Sequence, residues 1–169
     1  APDWLKDHMQ PVRQTQIGEL PVQQFMPWQV QPGETEKTPR ATIGEAAEIT
    51  GVQTSFEPDQ QLLVWVYWHP LRQTEHPLKA FVHLVGPVNP ATSTPLWSQD
   101  DHFPQNERIR TDSWSPSETY RDTFNLPLAD VPSGDYDLFI GLYDPDTGQR
   151  IASGETNRFL LTTLTIPAD

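Results

Sequence analysis

From Ile43 onward, apolar and polar side chains alternate in short runs, each closed by proline, glycine or a polar cluster. Period-two alternation sends successive side chains to opposite faces of an extended chain, so each run predicts a β-strand. Ala47 to Phe56 alternates weakly about Gly51, which marks a bulge. Glu57-Pro58-Asp59-Gln60 reads as a turn. Leu62 to Trp68 is apolar at every position and rich in β-branched and aromatic residues. That pattern fits a central strand, or one whose second face is covered by the N-terminal segment. Lys79 to Val85 sends Ala80, Val82 and Leu84 to one side and Phe81, His83 and Val85 to the other, and Gly86-Pro87 stops it. A short strand follows around Pro95 to Gln99, then a long loop over residues 100–118. Thr119 to Leu126 has Tyr120, Phe124 and Leu126 on one face and Arg121, Thr123 and Asn125 on the other. Tyr136 to Tyr143 alternates well, with Tyr136, Leu138, Ile140 and Leu142 inward and Asp137, Phe139, Gly141 and Tyr143 outward. Asp144 to Gly148 reads as a hairpin turn with Gln149 to Ala152 as its partner, and Phe159 to Ile166 closes the series.

No segment keeps a helical period for more than two turns. The 18 prolines also argue against a helical bundle, because an interior proline removes a helix hydrogen bond and clashes with the preceding turn. Seven to eight short strands with regular turn signals predict an all-β fold, an antiparallel β-sandwich of immunoglobulin-like or jelly-roll kind, over residues 43–169. Residues 1–42 differ: six prolines, many Gln and Thr, few aliphatics. They predict an extended arm packed on the domain as a strap. Ile17, Leu20, Val22, Phe25, Met26, Trp28 and Val30 are its expected anchors, with one short edge strand near Val22 to Met26.

Charge narrows the function classes. Eleven Lys and Arg against 23 Asp and Glu give a net charge of −12. That excludes a nucleic-acid binder working by phosphate neutralisation. No apolar run approaches the roughly 20 residues of a membrane-spanning helix. Cysteine is absent, which removes disulfides, thiol catalysis and cysteine metal sites. Ala1-Pro2-Asp3 opens no basic-then-apolar leader, and the initial Ala suggests a mature product or an excised piece. The reading calls for no cofactor.

The chain carries no GxSxG and no glycine-rich phosphate loop. Its acidic residues could be paired by folding, Asp112 with Glu118 or Asp100 with Asp122, but sequence cannot set them at glycosidase separations. A small glycoside-active enzyme therefore stays an alternative. The richest group for binding runs from Trp97 through Asp100, Asp101 and His102 to Arg110 and Trp114. A pyranose packs its C–H face on an aromatic ring, and planar polar groups take its hydroxyls. These six are the candidate carbohydrate-binding residues. The competing reading is that Trp97 and Trp114 plug the end of a sandwich, with their indole N–H groups bonded locally. Trp65 and Tyr67 face away from Leu62, Val64, Val66 and Trp68 and make a second candidate platform, against which stands burial beneath the arm. His83 reads as a satisfied sheet histidine. Asp100-Asp101-His102 could offer metal ligands, but zinc-protease spacing is missing, and Asp144 to Glu155 fails the calcium-loop pattern.

Several of these runs carry a further likeness: Leu63-Val64-Trp65-Val66-Tyr67-Trp68, Lys79-Ala80-Phe81-Val82-His83-Leu84, the Thr111 to Glu118 turn, Asp122-Thr123-Phe124, Pro132 to Tyr136, and Gly141 to Arg150. In order and spacing, over roughly residues 43–166, the chain resembles the C-terminal extracytoplasmic β-sandwich of bacterial membrane glycosyltransferases of the dolichyl-phosphate-mannose mannosyltransferase type. It departs at Ser117, where that pattern usually has glycine. The resemblance implies a non-catalytic accessory module of a cell-envelope glycosyltransferase, with weak glycan binding or a spacer and docking role. It implies an extracytoplasmic position tethered to a membrane, with glycan or lipid-linked sugar and the membrane domain of the same polypeptide as partners. A free-standing carbohydrate-binding module is the other alternative.

Overall fold

The computed structural model describes residues 9–17, 20–27, 40–57 and 60–167. In chain order the strands are β1 (Met9–Ile17), β2 (Leu20–Pro27), β3 (Ala41–Ile43), β4 (Ala47–Glu57), β5 (Gln61–Pro70), β6 (Lys79–Asn89), β7 (Thr94–His102), β8 (Tyr120–Pro127), β9 (Gly134–Tyr143) and β10 (Phe159–Ile166). Among the described residues the only helical pieces are two 3-10 turns, Pro104–Glu107 and Thr111–Ser113. The fold is all-β: one four-stranded antiparallel sheet in the order β3-β4-β5-β8 and a second in the order β10-β9-β6-β7.

The inward rows read from the alternation meet as the core of a β-sandwich. Leu62, Val64 and Val66 of β5 and Leu138, Ile140 and Leu142 of β9 are all fully buried in it. Side chains of this size contribute about 1.5–3 kcal/mol each on full burial. β5 has a strand on either side, as its all-apolar sequence requires. Gly51 sits at a register shift between Ile49 and its own position, the expected bulge.

The chain crosses between sheets in an interlocked way. It leaves the first sheet after β5 and enters the second at β6. It returns at β8, which lies beside β5, and crosses again to β9, which lies beside β6. Strands β7 and β8 are each the outer strand at one end of their sheets, and they approach one another across the sandwich.

Several sequence expectations change. The sandwich begins before residue 43, since Ala41 and Thr42 pair with Ile49 and Glu48. Gly86-Pro87 does not end β6. It interrupts the pairing with β7, and Asn89 then pairs with Thr94. Proline is tolerated there because the pairing of β6 with β9 has already ended at Val85↔Asp137. Residues 100–102 continue β7 rather than open a loop. Gln149 to Ala152 forms a single bridge, Tyr143 with Arg150, not a strand. In the N-terminal segment, β1 and β2 form an antiparallel hairpin from Met9↔Pro27 to Ile17↔Leu20, where a single edge strand was expected. Leu20 (71 % exposed) and Val22 (37 %) do not act as anchors. Trp28 and Val30 lie outside the described residues, and so do the side chains of Ile17, Phe25 and Met26.

Candidate functional site

The polar triplet Asp100-Asp101-His102 lies on β7, and strand alternation deals it to two faces. Asp100 and His102 turn toward β8, and Asp101 turns outward beside β6. They cannot chelate one metal ion from opposite sides of a strand, so the triplet is not a metal site.

On the inner side a closed polar clasp joins the two sheets. His102 Nδ1 lies 3.1 Å from Asp100 Oδ1, and its Nε2 lies 3.1 Å from Asp122 Oδ1 on β8. The other oxygen of Asp100 accepts the backbone N–H of Asn125 at 2.7 Å. Asp122 is fully buried, and its Oδ1 also accepts the backbone N–H of Gln105 (2.9 Å) and of Thr123 (3.0 Å). The imidazole packs 4.5 Å from the ring of Phe124. Burial works against charge on His102, but Asp122 and Asp100 outweigh it and raise its pKa from 6.5 to about 10. The group is an imidazolium held between two carboxylates, a bridge from one sheet to the other. Asp100 and Asp122, a pair the sequence raised for catalysis, do meet here. Their shared imidazolium lies between them, so the pair acts as an internal fastening.

The remaining candidates scatter. Trp114 is fully buried. Its indole donates to the Ile109 carbonyl (3.1 Å), and its ring lies 6.0 Å from both Trp68 and Tyr120. It plugs the sandwich and has no face to offer a ligand. Trp97 donates its indole N–H to the Pro87 carbonyl at 2.6 Å and meets Tyr136 edge-on. Gly86 makes room for this packing, since a Cβ there would sit 2.5 Å from the Tyr136 ring. Arg110 is exposed and forks onto Asp112 through Nε (3.2 Å) and Nη2 (2.7 Å). The second platform does not form either. Tyr67 is fully buried on its outward face, with its hydroxyl donating to Gln53 (3.1 Å), and Trp65 is half-buried. The two rings make no open surface.

On the outer face of the second sheet, the structure assembles a group that sequence reading did not bring together. Phe81, His83, Phe139 and Tyr143 project there, with Asp101 beside Phe81 and Gly141 opposite it. His83 Nε2 lies 3.3 Å from Asp101 Oδ1, and its ring is 4.5 Å from that of Phe81. Tyr143 is 6.2 Å from Phe81, and burial, then the Asp101 carboxylate, raises its phenol above the usual value. Phe81 itself is buried, because Arg150 lies over it with Cζ 4.3 Å from the ring centre. Arg158 covers Phe139 in the same way at 3.9 Å. A hollow next to Phe139 and Arg158 is completed by Ala152 and residues 154–157. Phe139 and Tyr143 stay half-exposed.

Asp122 was the missed inward residue, and its signal was present: it breaks the apolar row of Tyr120, Phe124 and Leu126, and a carboxylate on a core face needs a partner. Phe139 and Tyr143 carried a comparable signal, as aromatic residues on the outward side of β9. Arg150 and Arg158 carried none, because they reach the sheet from the segment after it. No protein-family model matches the chain, and none of the curated proteins does.

Proposed function

We propose that this domain is a non-catalytic glycan-recognition module, an accessory of cell-envelope glycosyltransferase machinery working outside the cytoplasm. The observation that carries the reading is the outer face of the β10-β9-β6-β7 sheet. There, half-exposed Phe139 and Tyr143 stand beside Asp101, His83 and the hollow at Asn157. Rings for the C–H face of a sugar and planar polar groups for its hydroxyls are what such a ligand requires. A non-catalytic role is favoured by the fate of the carboxylates: Asp100 commits both oxygens, and Asp122 its Oδ1, to His102 and to backbone N–H groups. The accessory placement rests on the sequence resemblance alone, carried by runs such as Gly141 to Arg150.

Titration of the 15N-labelled domain with a panel of oligosaccharides tests the reading. Resonances of β6, β9 and the 152–158 segment should shift at millimolar ligand, and Phe139→Ala should abolish the shifts while leaving the rest of the spectrum in place. Absence of shifts with every saccharide, neutral and acidic, would overturn it.

A further inference from the structure

Among the described residues the cations of this acidic chain are not evenly placed. Arg72 pairs with Glu45 (3.0 Å) and Arg110 with Asp112 (2.7 Å). Lys79, Arg150 and Arg158 make no ion pair among the described residues, and all three stand on the outer face of the same sheet. Each lies over a ring instead: Lys79 Nζ is 5.2 Å from the centre of Phe103, Arg150 lies on Phe81, and Arg158 on Phe139. We propose that this face binds a negatively charged saccharide, with Arg150 and Arg158 receiving its anionic group. This rests on the glycan reading above and adds the charge class of the ligand.

A guanidinium lying on a ring commits its flat face and keeps its N–H edge for a carboxylate or phosphate, which it binds in bidentate fashion. The rings also fix the two side chains, so less conformational freedom is lost when the anion arrives. The sheet is shaped for this. Gly141 lies beneath the Phe81 ring, where a Cβ would approach Cζ to 2.5 Å, so only glycine lets the ring lie across the strand with Arg150 upon it. Arg150 is itself tied by its backbone bridge to Tyr143.

Carboxylates flank the arginines: Asp101 on β7, Glu155 in the hollow, and Asp137 and Asp135 farther along β9. The last two accept hydroxyls of Thr163 and Thr165 at 2.7 Å each. A polyacidic peptide would be repelled by this rim. A saccharide carrying one anionic group brings hydroxyl donors for the carboxylates and a charge for the arginines, so it satisfies both.

The experiment is calorimetric titration at 150 mM salt with three oligosaccharides: a neutral mannose oligomer, a galacturonate oligomer and a mannose-6-phosphate disaccharide. Either acidic ligand should bind about tenfold more tightly than the neutral one, and the arm that does so identifies carboxylate or phosphate. Arg158→Gln and Arg150→Gln should each bring acidic binding down to the neutral level. Arg158→Lys, which keeps the charge and loses the fork, should fall between, with circular dichroism confirming that each variant is folded. Equal affinity for neutral and acidic sugars would overturn the charge assignment and leave the glycan reading standing. Binding of none would overturn both. Equal binding of a glutamate peptide would overturn the saccharide assignment.

Discussion

His102 joins the two sheets electrostatically, since its two nitrogens face carboxylates from opposite sheets. Its pKa in the folded chain, about 10, lies above the ordinary 6.5. Such a group stabilises the fold fully below pH 6.5, and that contribution drains away as pH climbs toward 10. The urea midpoint of the native chain should therefore fall across pH 6.5–10, and that of His102→Asn should stay nearly level there. Above pH 10 the phenols of Tyr120, Tyr136 and Tyr143, whose pKa values burial raises, add to the loss in both proteins. Asp122→Ala leaves the imidazolium and the Gln105 and Thr123 N–H groups without their acceptor. It should cost about 3–5 kcal/mol in equilibrium denaturation. Asp122→Asn keeps an acceptor but removes the charge, so the His102 imidazole should titrate closer to its ordinary value, as read from its ring proton shifts.

At the scale of elements, close approach decides where substitutions hurt. Gly141→Ala forces its Cβ against Phe81 and within 3.3 Å of the Asn157 carbonyl. The expected loss is about 1–3 kcal/mol, and a smaller side chain in Phe81→Leu should recover part of it in the double variant. The 3-10 turn at Thr111 fastens the β5–β6 connection: its hydroxyl accepts the Leu78 N–H at 2.8 Å and meets the Thr74 hydroxyl at 2.7 Å. Thr111→Val should cost about 1–3 kcal/mol in thermal or urea unfolding, because the Leu78 donor is left buried without a partner. Such tertiary ties are also where sequence reading stopped. The period-two rows of β5, β6 and β9 were legible because burial of one face imposes them directly. Trp114 as a plug was legible as one of two readings. The division of Asp100, Asp101 and His102 between two faces followed from β7 running three residues farther than its apolar content indicated. The outer-face site needed Arg150 and Arg158 to fold back over rings that precede them by 69 and 19 residues in the chain, and no local pattern encodes that return.

For the whole molecule, net charge sets the response to salt. A chain at −12 repels itself in the folded state, and added ions screen that repulsion. The melting temperature should rise as sodium chloride goes from about 10 to 200 mM, a trend differential scanning fluorimetry can follow. A fold stabilised mainly by surface ion pairs would move the opposite way. Binding at the arginine-bearing face should weaken over the same range, because its attraction is screened as well.

The double crossing that sets β8 beside β5 and β9 beside β6 has a kinetic consequence. Neither layer can finish assembling while the other is absent, since each borrows a strand that the chain reaches only by passing through its counterpart. Half-formed species with one intact layer are thereby disfavoured, and closure waits on partners far apart in sequence, which makes it slow. A protease cutting the 144–158 segment would thus meet either an intact body or a wholly opened chain, with little in between.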